Sequence, residues 1–208
     1  MPPDAVLGEL LAEGQSLLAR GPHPERARRD AEFLLQHLCE RNGSEKNRAW
    51  MLAHLDSQAA PEIATEFREL IQRRLAGEPV QYIVGEAEFY GLPFFVTRDV
   101  LIPRPETEHL VERSLHLAAH WAKPRIVDVG TGSGAIAVAL AAHLPHASIT
   151  ATDLSAAALA VARRNAERNG VTDRIRFLAG DLLAPVADEN FELVVSNPPY
   201  VSEGDRAS

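Results

Sequence analysis

The chain has 208 residues, 46% hydrophobic and 24% charged, and a formal net charge of −8; this excludes a disordered chain, allows one or two packed domains, and lacks the basic footprint of a nucleic-acid binder. The N-terminal "MPPDAVLGELLAEG" is acidic and unlike a signal peptide, and no apolar run approaches the ~18 residues of a membrane span. Cys39 is the only cysteine, so no intrachain disulfide is possible, and a cytoplasmic, monomeric protein without membrane or direct nucleic-acid partners is expected.

Residues 5–75 read as helices. Val6, Leu7, Leu10, Leu11, Leu17 and Leu18 recur at helical spacing. Pro24 opens "PERARRDAEFLLQHLCE", with Ala27, Ala31, Leu34, Leu35 and Leu38 on one stripe and Cys39 as a core thiol. Ser44 is the expected cap of a short helix through Trp50 and Leu52. Pro61 starts a further helix carrying Ile63, Phe67, Leu70 and Ile71, which Gly77 and Pro79 end.

"EFYGLPFFV" then predicts a hairpin with strand-like runs on either side of Gly91-Leu92-Pro93. Pro105, Glu106 and Glu108 begin a helix, since acids favour the positive end of its dipole. From residue 125 strands and helices alternate. The strands are "RIVDVG", "ASITATD", "RIRFLAG" and "FELVVSN", and the helices lie at about 134–143 and 155–169. Such alternation implies right-handed crossovers and a parallel sheet. The expected domains are a helical one (1–76), a linker with the hairpin (77–104) and an α/β domain (105–208).

"DVGTGSGAIAVAL" follows a strand and opens a helix. Gly130, Gly132 and Gly134 permit tight turns and close ligand approach, and the helix start behind them offers free N–H groups. Asp153 ends the next strand, where a carboxylate can accept both hydroxyls of an adenosine ribose. The looser dinucleotide pattern G-x-G-x-x-G/A is also satisfied. Asp128, two residues before the first glycine, opposes a pyrophosphate but suits an amino group. Asp181 adds a polar end where an adenine would lie. The assembly resembles the S-adenosylmethionine site of class I methyltransferases.

"FELVVSNPPYVS" runs a core strand into Asn197-Pro198-Pro199-Tyr200. Proline has no N–H, so the backbone of this corner mainly accepts hydrogen bonds, and Asn197 can turn its side-chain oxygen the same way. Such a neutral acceptor cluster suits a planar –NH2 group, with Tyr200 stacked on its face. An amide nitrogen is a poor nucleophile because its lone pair is delocalised. Acceptors on both of its N–H bonds return density to nitrogen, which can then attack a sulfonium methyl held in line.

The glycine loop with "NPPY" is similar to methyltransferases that modify glutamine or adenine amino groups. "GEPVQYIVGEAEFYGLPFFVTRDVLIPRPETE" (77–108), with the helices before it, resembles the protein-(glutamine-N5) methyltransferases acting on class I peptide chain release factors. The fold this implies is α/β, a Rossmann-like parallel sheet with an N-terminal helical bundle. The implied reaction is methylation of the glutamine in the Gly-Gly-Gln motif of a release factor docked on the helical domain. The resemblance also implies that Gly130, Thr131, Gly132, Ser133, Gly134 and Asp153 hold S-adenosylmethionine, with Leu182 flanking the adenine. Asn197 and Pro198 would grip the glutamine amide, and Arg104 and Glu106 would lie near the pocket mouth. The family continues for several strands after "NPPY", so the usual order 3-2-1-4-5-7-6 is expected to be cut to 3-2-1-4, with "FELVVSN" as an exposed apolar edge. A ribosomal-protein glutamine, an adenine in nucleic acid, or non-catalytic binding by a fragment are the alternatives. His116 and His120 lack the partners of a metal site and are read as surface histidines.

Overall fold

The computed structural model describes residues 5–43 and 45–198. The helical spacing of the N-terminal segment becomes α1 (Leu7–Leu18), α2 (Ala27–Arg41), α3 (Arg48–Ala53), α4 (Pro61–Leu75) and a short α5 (Val80–Val84). Pro61 occupies the first turn of α4, where its missing N–H costs nothing. Glu62 follows it, and Arg73 and Arg74 close the helix, charges that complement the dipole at both ends. The cap of α3 is Asn47, whose Oδ1 accepts from Trp50 N at 3.0 Å. The expected cap, Ser44, lies outside the described residues.

Leu10, Leu34, Leu35, Leu38, Met51, Phe67 and Ile71 are fully buried at the centre of these helices, and Cys39 is buried with them. Helices α1 and α4 approach closely at Gly14, where a Cβ would stand 2.7 Å from Phe67 Cζ. A buried ion pair joins α4 to α2: Arg74 Nε donates to Asp30 Oδ2 at 2.7 Å.

The second set of elements is a hairpin of β1 (Glu86–Phe89) and β2 (Leu92–Phe95), α6 (Glu106–Ala118), β3 (Arg125–Val129), α7 (Ala135–His143), β4 (Ser148–Asp153), α8 (Ala156–Arg168), β5 (Ile175–Ala179) and β6 (Leu193–Ser196). The hairpin turn is Tyr90-Gly91, not the Gly91-Leu92-Pro93 centre expected. Phe89 pairs with Leu92, and the two turn residues have φ of 53° and 70°. A two-residue turn with both φ positive matches the twist of the strands it joins.

The main sheet is parallel throughout, in the order β5-β4-β3-β6. In sheet numbering this is the 3-2-1-4 order read from the sequence. Ile126 and Val127 of β3 point to opposite faces and are both buried, in two separate apolar clusters, because both faces of the sheet are covered. Helix α7 is apolar all round and buried from Ala135 to Ala141. Val194 of β6 is 54% exposed.

The chain divides into two compact units, Met1–Val84 and Gly85–Ser208. The division falls inside the expected linker: α5 belongs to the helical unit and the hairpin to the α/β unit.

Candidate active site

Strand order reverses at β3, with β4 and β5 on one side and β6 on the other. Ligands of open α/β sheets bind at the carboxyl ends of the strands at such a switch point. Val129 and Ser196 form the last rung of the β3–β6 pair, and Ser196 Oγ donates to Val129 O at 2.8 Å. Gly130 and Asn197 are the next residues on the two strands. The glycine loop and the Asn-Pro corner therefore start side by side, although 67 residues separate that rung in sequence.

The loop is held by backbone hydrogen bonds, two of them to β4. Gly130 N and Thr131 N both donate to Thr152 O, at 2.9 and 3.0 Å, and Gly134 N donates to Thr131 O at 2.8 Å. Gly130 and Gly132 have φ of 70° and 55°, and a Cβ on either would meet nothing within 4 Å. These two glycines thus face open space, as a close-approach cradle requires. Gly134 differs: its Cβ would stand 3.0 Å from Ala162 Cβ, so this glycine serves the packing of the loop on α8.

Asp128 lies beneath the loop, 1% exposed. Its Oδ2 accepts from Thr131 Oγ1 at 2.6 Å and from Ala137 N at 3.2 Å, tying β3 to the loop and to α7. Its Oδ1 is buried with no partner among the described residues. Burial pushes the carboxyl up to about 6, against the two hydrogen bonds, while the charge of Asp153 adds to the rise. Asp153, at the tip of β4, accepts from Gly132 N at 2.8 Å through Oδ2 and from Ser155 N at 2.9 Å through Oδ1. Each oxygen keeps a further lone pair. Ser133 is buried within the loop.

After β5, Asp181 is exposed, and its carbonyl accepts from Ala184 N. Leu182 has φ of 47°, in the left-handed region that leucine avoids, and its side chain is 67% exposed. Thr152 Oγ1, on the neighbouring β4, donates to Leu182 O at 2.9 Å and holds it there.

Asn197 is half-buried. Its Nδ2 donates to Thr107 Oγ1, in the first turn of α6, at 2.8 Å. Its Oδ1 accepts no hydrogen bond among the described residues. Pro198 is exposed, and Pro199 and Tyr200 lie outside the described residues. In "PRPETE", Arg104 and Glu106 are exposed, whereas Glu108 Oε1 accepts from Tyr90 N at 2.9 Å and pins the hairpin turn. His116 and His120 pack edge to face with ring centres 6.1 Å apart, and no metal-holding group occurs among the described residues.

Sequence reasoning missed two residues here. Thr107 is one; it reads as an ordinary first-turn residue. Asn165 is the other. It is fully buried on the apolar face of α8, where its Oδ1 accepts from Phe95 N at 2.6 Å and its Nδ2 donates to Phe95 O and Ser133 O at 3.0 and 2.8 Å. A polar residue among Leu159, Ala162 and Ala166 was the available signal, since a buried amide needs partners.

A parallel sheet in this order, with a glycine turn after its first strand and an acid at the tip of its second, is the class I methyltransferase arrangement, whose cofactor is S-adenosylmethionine. The residues present fit that cofactor: two glycines open to close approach, and the acids Asp153 and Asp181 suit a sulfonium-bearing nucleoside better than a pyrophosphate. The family profile described as Methyltransferase small domain matches residues 107–208, and that of the PrmC N-terminal domain matches residues 9–85. The release factor glutamine methyltransferase of Moorella thermoacetica is 44% identical over 196 residues, covering 94% of this chain and 67% of that protein. That of Bordetella pertussis is 49% identical over 183 residues, covering 88% and 65%, and that of Chlorobaculum tepidum 54% identical over 151 residues, covering 68% and 51%. The chain belongs to the release factor glutamine methyltransferase family. It spans between about half and two thirds of the length of these curated relatives.

Proposed function

We propose that the protein transfers a methyl group from S-adenosylmethionine to the side-chain amide nitrogen of the glutamine in the Gly-Gly-Gln motif of class I peptide chain release factors. The observation that carries this reading is the corner after β6: Asn197 has its amide nitrogen bound to Thr107 and its oxygen unspent, beside the start of the glycine loop.

When bound, the cofactor supplies an electrophilic methyl carbon. Gly130 and Gly132 would let the backbone approach it, Asp153 would accept its ribose hydroxyls, and the exposed Leu182, beside Asp181, would flank its adenine. Thr131 and Ser133 hold the loop in shape, and Asp128 braces it from below. Asn197 Oδ1 and the Pro198 carbonyl would accept the two N–H bonds of the substrate amide. Pro198 contributes no competing donor. Pulling on both hydrogens would return density to nitrogen; the nitrogen would gain the methyl as the sulfonium S–C bond breaks and the neutral thioether leaves, and would lose its proton to solvent only afterwards. No strong base is needed beforehand. Glu106 borders the site at the start of α6, and the helical unit docks the release factor.

Labelled S-adenosylmethionine offered with a release factor, a ribosomal protein or DNA tests the reading. Label is expected on the glutamine of the release factor, and Asn197→Ala is expected to keep cofactor binding while losing transfer. Label in DNA or the ribosomal protein alone overturns the substrate; bound cofactor with no transfer to anything overturns the activity.

A further inference from the structure

We infer that Asn165 of α8 is a positioning residue for the cofactor: its amide locks the Ser133–Gly134 peptide of the glycine loop and ties that lock to the hairpin. The inference rests on the S-adenosylmethionine site and not on the identity of the methyl acceptor. Gly134 has φ of 79°, and glycine adopts positive and negative φ about equally, so nothing in that residue prevents the peptide before it from rotating. The structure holds this peptide at both ends. Its N–H, on Gly134, donates to Thr131 O at 2.8 Å, and its C=O, on Ser133, accepts from Asn165 Nδ2 at 2.8 Å. The first bond is internal to the loop; the second comes from outside it.

The Asn165 amide can do this in one orientation only. Its Oδ1 accepts from Phe95 N at 2.6 Å, and its Nδ2 donates to Phe95 O at 3.0 Å as well as to Ser133 O. All three partners are backbone groups of fixed polarity: the N–H only donates and the carbonyls only accept. A rotated amide would set its –NH2 against the Phe95 N–H and its oxygen against the Ser133 carbonyl. Asn165 is fully buried, so no bulk water replaces a lost partner. Phe95, the last residue of β2, therefore orients the amide that orients the loop, although 70 residues separate it from Asn165. The hairpin becomes a determinant of cofactor affinity while contributing no residue to the glycine loop.

The test titrates S-adenosylhomocysteine, the demethylated cofactor, calorimetrically into the 208-residue chain and three variants, at a temperature where circular dichroism shows each to be folded. Asn165→Leu keeps a similar volume and removes all three bonds. Its Kd is expected to rise about tenfold, the size of one net hydrogen bond. Phe95→Ala and Phe95→Pro both remove the ring that lies against Arg164 and Arg168, but only proline also removes the N–H. Proline is tolerated there because β2 is an edge strand and this N–H is given to Asn165 rather than to β1. Phe95→Pro is expected to bind about three- to tenfold more weakly than Phe95→Ala. A purely structural role would lower Tm and leave the Kd of the folded variants unchanged. Two results overturn the inference: a wild-type Kd in folded Asn165→Leu, or equal Kd values in the two Phe95 variants. The Phe95 pair keeps Asn165 in place and decides the matter even where Asn165→Leu does not fold. Wild-type chain that binds no S-adenosylhomocysteine overturns the cofactor site itself, and the inference with it.

Discussion

At the scale of single residues, the glycines of one loop divide into two kinds, Gly130 and Gly132 open to close approach and Gly134 packed against α8. Gly132 and Gly134 both have positive φ, so alanine at either costs ~1–2 kcal/mol in backbone strain. Only Gly134 adds a packing conflict, with Ala162. Gly134→Ala is therefore expected to lower Tm more than Gly132→Ala. Gly132→Ala, whose Cβ enters the open side of the loop, is expected to weaken cofactor affinity more than its Tm change explains. Isothermal titration and thermal melts of the two variants check this; the reverse ranking would refute the division of labour.

Asp128 adds a pH signature. Its folded value of about 6 lies above the usual aspartate range, so the folded state holds the proton more tightly than the unfolded chain. Its contribution to stability is full below about pH 4 and is lost as pH rises through about 6, a change of roughly 3 kcal/mol. Asp128→Asn cannot titrate. The stability of wild type relative to this variant, from urea unfolding, is expected to fall between pH 4 and 7 and then level off. A constant difference over that range would mean the carboxyl titrates normally.

At the scale of elements, the hairpin is fastened to the α/β unit at several points. Tyr90 N bonds Glu108 of α6, Asn169 Nδ2 donates to Pro93 O at 3.0 Å, and the guanidinium carbons of Arg164 and Arg168 stand 3.7 and 4.2 Å from the Phe95 ring centre. Asn165 is the central fastener, because the same amide serves β2 and the glycine loop. Asn165→Ala strands an N–H and two carbonyls and is expected to cost about 3 kcal/mol. It should also speed hydrogen exchange in β2. Slow exchange there with a normal Tm would assign the fastening to the arginine stack.

Elements also show how far pattern reaches. The stripes of α2 and α4, the apolar run of α7 and the Asn-Pro step after β6 are legible because period, proline and glycine act locally. The hairpin turn was misplaced because Gly91 and Pro93 are both turn formers, and only strand register separates them: Pro93 sits in the strand opposite Glu88. The left-handed backbone of Leu182 was illegible, since nothing about leucine favours it; a hydrogen bond from β4 enforces it.

At the scale of the whole molecule, each unit has its own core, and the helical unit also contains the Asp30–Arg74 pair. Removing one member of a buried pair strands the other charge, which typically costs ~3–5 kcal/mol. Asp30→Ala is expected to strip exchange protection from α2 and α4 while the amides of β3 and α7 keep theirs. Uniform loss of protection across both units would instead show that they unfold as one.

The sequence alone determined the class of fold, the glycine loop, the acids at the strand tips and the proline-stiffened asparagine, because each depends on residue type at short spacing. Tertiary structure alone decided that Asn197 meets Thr107, that Asn165 joins the hairpin to the loop, and that Asp128 has one oxygen engaged and one unpartnered. Hydrogen-bond direction is the physical reason: it depends on which groups the folded sheet and helices bring within about 3 Å, and residues 70 or 90 positions apart carry no local mark of their pairing.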